Sequence, residues 1–182
     1  MKALATALLV FVAACGEGRA IFNVDVLSFF QPTGRDTIPY TLPPSAITIS
    51  ADSFITPVQI SLPPGLGSST VDSVTVTAAA VADNQAGTGS VQFEIFFAKD
   101  TVNFYTANTP YLQASGTITG TQPSTVPLLA PATVSLADTV FNTNTLWVGV
   151  HAALTQNAGP GLTGRVRLTT LTLRIVLQDK IL

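Results

Sequence analysis

Cysteine and histidine each occur only once in this 182-residue chain, as Cys15 and His151. A cysteine thiolate is a strong nucleophile, and a histidine can act as an acid, a base or a metal ligand. Cys15 follows directly on an apolar run, whereas His151 lies in the segment WVGVHAAL. Any catalytic triad or metal cluster that uses histidine must therefore be built around His151.

His151 alternates with Gly149 and Trp147, which places these three residues on one face of a predicted strand. We interpret His151 as a structural histidine, and we expect no catalytic residue, no cofactor and no metal site. The ten acidic residues are scattered along the chain and indicate no glycosidase pair. Asp83 and Asn84 carry oxygen atoms that suit a hard cation, but turn chemistry explains both residues without one.

The N-terminal segment has the layout of a secretory signal peptide, because Met1 and Lys2 precede a run of about twelve apolar or small residues. A helix of that length covers about 18 Å, which is too short for a hydrocarbon core of roughly 30 Å. The run ends in Val12-Ala13-Ala14-Cys15. This motif resembles the lipobox of bacterial lipoproteins, which is an aliphatic residue, two small residues and a cysteine.

The resemblance implies that residues 1–14 are removed and that Cys15 becomes the first mature residue. It also implies that Cys15 carries a diacylglyceryl group and a further acyl chain such as palmitate, which together anchor the protein stably. Gly16 stands where inner-membrane retention usually requires aspartate, so the outer membrane is expected in a host with two membranes. Ordinary secretion with cleavage after Ala20 is the alternative, since Gly18 and Ala20 satisfy the small-residue rule.

Composition limits what the mature chain can do. The 168 residues from Cys15 are enough for one domain with a sizeable core. Charged residues make up 10% of the chain, and threonine is abundant with 26 residues. Without Lys2, seven basic and ten acidic residues leave a net charge of −3, which argues against nucleic acid as a partner.

Frequent β-branched residues, twelve prolines and thirteen glycines predict an all-β chain interrupted by turns. We expect about nine or ten short strands in a two-sheet β-sandwich, either immunoglobulin-like or jelly-roll-like. Residues 15–20 are interpreted as the lipidated cysteine with a short tether, and residues 21–182 as a single domain. Trp147, Phe93, Ile95, Val148 and Leu173 are predicted to be substantially buried.

The last predicted strand, residues 164–178, changes its hydrophobic phase. Val166 and Leu168 share one face, whereas the later apolar residues fall on odd numbers. One extra residue at Thr169-Thr170 would bring all of them inward, because a bulge shifts the alternation by one. A strand that crosses from one sheet to the other is the alternative.

The same bulge would place Arg165, Arg167 and Arg174 together on the outer face. Two arginines at i and i+2 could bind neighbouring phosphates or carboxylates, as in anionic lipid or acidic glycan. These three residues are therefore a candidate anion-binding row. The alternative is that they keep a sheet face soluble and discourage edge pairing.

Two further sequence features bear on architecture. Residues 57–93 and 131–168 show a faint similarity, in which PVQISL and PATVSL each precede a predicted hairpin. This similarity reflects either a duplication or chance resemblance between segments rich in alanine, threonine and glycine. Phe96 and Phe97 are adjacent and must point to opposite faces of a regular strand. One of them is a candidate apolar contact for a partner, unless a loop covers it.

These features favour a lipid-anchored, non-catalytic β-sandwich of the bacterial cell envelope that acts as a binding or structural module. The membrane is an expected partner through the N-terminal lipid, and an envelope protein, a glycan or anionic lipid are further candidates. A carrier of a hydrophobic small molecule between the sheets is the alternative, suggested by the phenylalanine-rich segment. An enzyme that uses His151 is a weaker alternative. The oligomeric state and the side of the membrane are left open.

Overall fold

The computed structural model describes residues 19–62, 70–119, 124–129, 134–136, 139–141 and 143–178, so the lipobox and Cys15 lie outside the described residues. These residues form eleven strands, which confirms the all-β prediction with slightly more strands than expected. The strands are β1 Arg19–Asp25, β2 Thr37–Leu42, β3 Ile49–Phe54, β4 Val58–Ser61, β5 Thr70–Ala86, β6 Gly89–Ala98, β7 Leu112–Ile118, β8 Ser124–Leu129, β9 Val134–Leu136, β10 Thr145–Gln156 and β11 Leu162–Gln178.

Helical structure in the described residues is short. Two four-residue helices, α1 (Leu27–Phe30) and α2 (Phe104–Ala107), accompany 3₁₀ turns at Gln31–Thr33 and Thr139–Phe141. Within the described part of the chain, none of the helices has the length and hydropathy needed to cross a membrane.

The strands form two antiparallel sheets with long strands at their centres. In the six-stranded sheet, β11 pairs with β5, β1 and β2 flank β11, and β8 and β9 flank β5. In the five-stranded sheet, β10 pairs with β6, β3 and β4 flank β10, and β7 flanks β6. The orders β2-β11-β5-β8 and β3-β10-β6-β7 distribute successive strands between two sheets in the jelly-roll arrangement. Of the two sandwich types that were expected, the structure is the jelly roll.

Side chains from the inner faces of both sheets fill one core. Its largest fully buried members are Phe30, Phe93, Phe97, Phe141, Ile60, Ile95, Leu112, Ile118, Leu128, Leu146 and Leu154. The predicted burial of Phe93, Ile95, Val148 and Leu173 is confirmed. Trp147 is only partly buried, because it lies on the outer face of β10 and packs against Phe96, Ala98 and Phe104.

The bulge predicted in the last strand is present in β11. Leu168 pairs with Ala80 and Thr170 pairs with Ala79, so Thr169 is the extra residue. The apolar residues on both sides of the bulge are all buried, and these are Val166, Leu168, Leu171, Leu173, Ile175 and Leu177. The strand therefore stays in one sheet along its whole length.

The two predicted hairpins are wrong. β5 and β6 belong to opposite sheets, and so do β10 and β11, so each short connection carries the chain across the sandwich. Gly87 lies in the first connection with a φ of 85°, and a Cβ there would collide with the Gly161 carbonyl of the second. Glycine at position 87 thus lets the two crossings pack directly against each other.

The two similar segments occupy equivalent places in the fold. β4 is a short edge strand of the five-stranded sheet, and the following β5 and β6 enter the six-stranded and then the five-stranded sheet. β9 is a short edge strand of the six-stranded sheet, and β10 and β11 follow with the sheets exchanged. Exchange of the two sheets therefore relates the segments. The strand order of a jelly roll gives this relation with or without a duplication, so both interpretations of the similarity stay open.

The boundary between tether and domain differs from the prediction by two residues. Arg19 and Ala20, which were assigned to the tether, belong to β1 and pair with Gln178 and Leu177 of β11. Three residues separate Arg19 from Cys15 in the sequence.

Candidate functional site

The outer face of the five-stranded sheet presents a regular array of polar side chains. Four strands lie side by side in the order β3, β10, β6 and β7, and their pairing aligns outward residues in three rows. The first row is Phe54, His151, Glu94 and Gln113; the second is Asp52, Ala153, Gln92 and Ser115; the third is Ser50, Thr155, Ser90 and Thr117. We call these twelve residues the polar patch.

The patch has the dimensions of a small ligand site. Neighbouring strands are about 4.8 Å apart and successive outward residues on one strand are about 7 Å apart, so the patch measures about 14 Å in each direction. Ten of its side chains are polar, whereas Phe54 and Ala153 are apolar. This face is therefore the part of the described surface that is best equipped for polar recognition.

Glu94 is the centre of the hydrogen-bond network in the patch. Its Oε1 accepts hydrogen bonds from Gln92 Nε2 at 2.7 Å and from Gln113 Nε2 at 2.9 Å, and its Oε2 lies 2.8 Å from His151 Nδ1. A carboxylate only accepts hydrogen bonds, so each glutamine must turn its amide nitrogen toward Glu94. The amide oxygens of Gln92 and Gln113 are thereby oriented away from Glu94.

His151 lies between two carboxylates. Its Nδ1 faces Glu94, and its Nε2 lies 3.0 Å from Asp52 Oδ1. A carboxylate only accepts hydrogen bonds, so each contact forms a hydrogen bond when the facing ring nitrogen carries a proton. Both ring nitrogens thus face carboxylates that hold the imidazole in place on the sheet surface, and the structural role of His151 stays a prediction.

Phe54 is an exposed aromatic ring at the corner of the patch. It stacks on the His151 ring with a centroid distance of 4.5 Å and an interplanar angle of 12°, yet 53% of its surface is exposed. The Tyr105 ring packs beside the Phe54 ring, with a centroid distance of 4.8 Å. The Tyr105 hydroxyl donates to the carbonyls of Ile55 and Val150, and burial raises the pKa of Tyr105 above the ordinary phenol value.

A depression of about 430 Å³ occupies the second and third rows of the patch. The small Ala153 side chain leaves room at its floor, and the outward side chains around it are small hydroxyls and one amide. Its lining residues are Ser90, Val91, Gln92, Ser115, Gly116, Thr117, Ala153 and Thr155. The depression opens next to the Glu94 network, so a ligand in it would contact both.

Phe96 and Phe97 are wrong as candidate apolar contacts, because both are buried. Phe97 points inward and is 0% exposed, whereas Phe96 points outward but is only 3% exposed. Helix α2 covers Phe96 by placing Phe104 and Tyr105 over it, with ring centroids at 6.4 and 5.2 Å. The loop that would cover an outward ring, which was the alternative in the sequence interpretation, is therefore present.

The phenylalanine-rich segment also does not line a space for a hydrophobic cargo. Phe93 and Phe97 are fully buried within the core, and Phe97 packs against Tyr111 and Phe141. These side chains fill the volume between the sheets that a carrier would need for its ligand.

The three arginines of the candidate anion-binding row lie on the outer face of the six-stranded sheet, opposite the polar patch. Arg165 and Arg167 share the Asp83 carboxylate, with Nε to Oδ2 distances of 3.4 and 3.8 Å. Arg174 lies beyond the bulge between Asn23 and Thr75. The three arginines share one sheet face, as predicted. The negative charge of Asp83 offsets part of the positive charge of Arg165 and Arg167. Anion binding by this row stays a prediction.

The remaining candidate ligands have structural partners. Asn84 is 2% exposed, and its Nδ2 donates to the Gly87 carbonyl at 3.1 Å, whereas Asp83 faces the two arginines. Within residues 19–178 as described, no group of three or more His, Cys, Asp or Glu is placed to hold a metal ion.

Sequence reasoning identified His151 but missed its partners. Asp52 and Glu94 are 99 and 57 residues away in sequence, and only the strand pairing brings them together. The alternation of Ser90, Gln92 and Glu94 in β6 was the available signal, since it marks one polar strand face. The sequence thus indicated that one face of β6 is polar, but it did not indicate which strands lie beside β6.

Comparisons with known proteins add little to this description. No protein-family model matches the chain, and no curated protein matches it. One similar solved structure is that of infectious bursal disease virus Gx strain, with 8% identity, a TM-score of 0.38, and coverage of 90% of this chain and 33% of that chain. The chain thus spans about a third of the length of that protein.

Two smaller proteins are similar over most of their length. TmCBM61, whose structure is in complex with β-1,4-galactotriose, has 8% identity and a TM-score of 0.31, with 87% of this chain and 88% of that chain covered. PirA has 10% identity and a TM-score of 0.26, with 79% and 93% covered. Scores this low carry no argument about function, and the jelly-roll assignment rests on the strand order alone.

Proposed function

We propose that this protein is a lipid-anchored, non-catalytic binding module of the bacterial cell envelope and that the polar patch is its binding surface. The observation that carries the proposal is the aligned array of ten polar side chains around an exposed phenylalanine and an open depression. Ligand sites generally combine a concave surface with a few fixed polar groups.

The patch is rigid before any ligand arrives. Its two central columns lie on β10 and β6, which pair over ten residues and form the middle of the sheet. Glu94 fixes the orientation of His151, Gln92 and Gln113 by three hydrogen bonds. Groups that are already ordered cost less conformational entropy when they bind, so this arrangement favours recognition.

The anchoring part of the proposal rests on the lipobox resemblance at Cys15. Four residues of extended chain span at most about 14 Å, so a lipid on Cys15 would hold Arg19 and the adjoining end of β11 near the membrane. The short tether also fits a module that acts at the membrane surface.

Site-specific photo-crosslinking in the native host tests the binding surface. p-Benzoylphenylalanine replaces Ser115 in the patch, and in a matched control it replaces Thr172, an exposed position on the outer face of the opposite sheet. We expect a covalent adduct from position 115 and little or none from position 172. Equal capture from both positions, or no capture from position 115, would contradict the proposal.

A further inference from the structure

We infer that the ligand of the polar patch is an uncharged glycan chain that lies in the depression between β10, β6 and β7. The inference rests on the proposed function, because it names the ligand class for the same surface. Three independent properties of the patch support it: its hydrogen-bonding groups, its charge and its exposed ring.

The hydrogen-bonding groups suit a ligand that both donates and accepts at many points. Ser90, Ser115, Thr117 and Thr155 supply hydroxyls around the depression, and a hydroxyl can donate one hydrogen bond and accept two. Sugar hydroxyls have the same dual capacity. A peptide backbone offers fixed donors and acceptors at wider intervals and would use a hydroxyl-lined depression less fully.

Gln92 adds one oriented acceptor to these hydroxyls. Its Nε2 is held by Glu94, which leaves Oε1 as the amide atom that can accept from a ligand, and Gln92 is a lining residue of the depression. Gln113 is held by the same carboxylate oxygen. Two amide oxygens that are fixed in advance can accept from ligand hydroxyls without a cost of ordering.

The charge of the patch disfavours an anionic ligand. It contains two carboxylates, Asp52 and Glu94, and its only basic group is His151, which both carboxylates already contact. Of the five described arginines, Arg19, Arg165, Arg167 and Arg174 belong to strands of the other sheet, whereas Arg35 lines a separate depression beside Phe54 at the corner of the patch. A carboxylated or phosphorylated chain in the depression between β10, β6 and β7 would lie near these carboxylates, and none of the residues that line this depression is basic.

Phe54 provides an apolar surface at the edge of the charged row. One face of its ring lies against His151, and more than half of the side chain is exposed. The C–H face of a sugar ring packs well on the electron-rich face of an aromatic ring. Phe54 lies two strand positions along β3 from Asp52, about 7 Å away, so a chain leaving the depression would reach it.

The test measures binding of the soluble domain, residues 19–182, to an array of uncharged cello-, malto- and galacto-oligosaccharides with uronate oligomers beside them. The domain is used because residues 19–178 contain all eleven strands of the described fold. We expect binding to at least one uncharged series and none to the uronates. Binding to no uncharged oligosaccharide, or stronger binding to uronates, overturns the inference.

Paired variants locate the site. Gln92→Ala with Ser115→Ala should weaken binding of the best oligosaccharide at least tenfold, and Phe54→Ala should weaken it independently. Thr77→Ala with Thr172→Ala, a cross-strand pair on the opposite sheet, is the matched control and should leave the affinity unchanged. If the Gln92→Ala/Ser115→Ala variant and the control variant bind the oligosaccharide with equal affinity, the inference is overturned.

The outcomes separate this inference from the proposed function. If position 115 crosslinks an envelope protein while no uncharged oligosaccharide binds, the polar patch stands as the binding surface and the glycan inference falls. If neither crosslinking nor oligosaccharide binding is observed, both fall.

Discussion

Tyr40 and Tyr105 are two covered phenols whose hydroxyls have opposite environments. The Tyr40 side chain is 3% exposed, and its hydroxyl has no hydrogen-bond partner among the described residues. It lies over Gly164, where a Cβ would collide with it. The Tyr105 hydroxyl instead donates to two backbone carbonyls, those of Ile55 and Val150.

This difference predicts opposite effects of the same substitution at pH 7. Tyr40→Phe should be neutral or raise the free energy of unfolding by up to about 1 kcal/mol, because a buried hydroxyl without a partner is removed. Tyr105→Phe should lower it by about 1 to 2 kcal/mol, because the Ile55 carbonyl loses the phenol donor, whereas the Val150 carbonyl still accepts from the Ile55 amide. Urea denaturation of both variants checks the prediction, and a larger loss for Tyr40→Phe would contradict it.

The stability of the fold at alkaline pH depends in part on Tyr40. Burial, with a smaller contribution from Asp83, raises the pKa of Tyr40 to about 12. The unfolded chain releases its phenol proton from about pH 10, so between these values the unfolded state binds fewer protons and stability falls as pH rises. The slope for one such group is about 1.4 kcal/mol per pH unit, and Tyr40→Phe should reduce the measured slope by that amount.

Strand β11 carries the clearest prediction at the level of single elements. Leu173 is fully buried and Arg174 beside it is exposed. Leu173→Ala should cost about 2 to 5 kcal/mol, because it leaves a cavity in the core, whereas Arg174→Ala should change stability by less than about 0.5 kcal/mol. Comparable losses for both variants would mean that the phase of the strand is misassigned.

Deletion of Thr169 tests the bulge directly. Without this residue, either half of β11 must slip by one position, which turns arginines inward or leucines outward. We expect the deletion variant to lose its cooperative unfolding transition, while Thr169→Ala keeps it. Circular dichroism during thermal unfolding distinguishes these outcomes.

The elements differ in how far their sequence determines them. The bulge in β11 was predictable because the apolar residues change from even to odd numbers, and a strand that stays in one sheet cannot bury both sets without an inserted residue. The crossings at Gly87 and Gly161 were not predictable, since two alternating segments joined by glycines look the same whether they pair or enter opposite sheets. The partners of His151 were unpredictable for a related reason, because Asp52 and Glu94 reach it only through the strand order.

The whole molecule has two distinct ends. Arg19, at the start of β1, lies beside Gln178 at the end of β11. The crossings from β5 to β6 and from β10 to β11 lie at the opposite end, next to Thr155 and Ser90 of the polar patch. Because β11 extends over about 50 Å, the second and third rows of the patch lie far from Arg19 and would lie far from a lipid on Cys15.

We predict that a lipid on Cys15 anchors the whole molecule to a membrane. Cys15→Ser should abolish incorporation of labelled palmitate and release the processed protein from membranes or leave an uncleaved precursor. Metabolic labelling with membrane fractionation checks this, and a Thr6→Ser variant in the apolar run serves as the control. Unchanged palmitate labelling of Cys15→Ser, or membrane retention of a Cys15→Ser protein of mature size, would contradict the lipoprotein assignment and leave the fold and the patch unaffected.

The antiparallel pairing of β1 with β11 has a mechanical consequence for a molecule held at Cys15. The seven residues of β1 run from Arg19 away from the anchor, and their hydrogen bonds to β11 are perpendicular to that direction. A pull on a ligand at the distal end would load all of these bonds together in shear and would not open them one after another. The strand nearest the tether would therefore resist extraction by force, so a domain held by only three residues beyond its lipid would transmit tension to the membrane without unravelling.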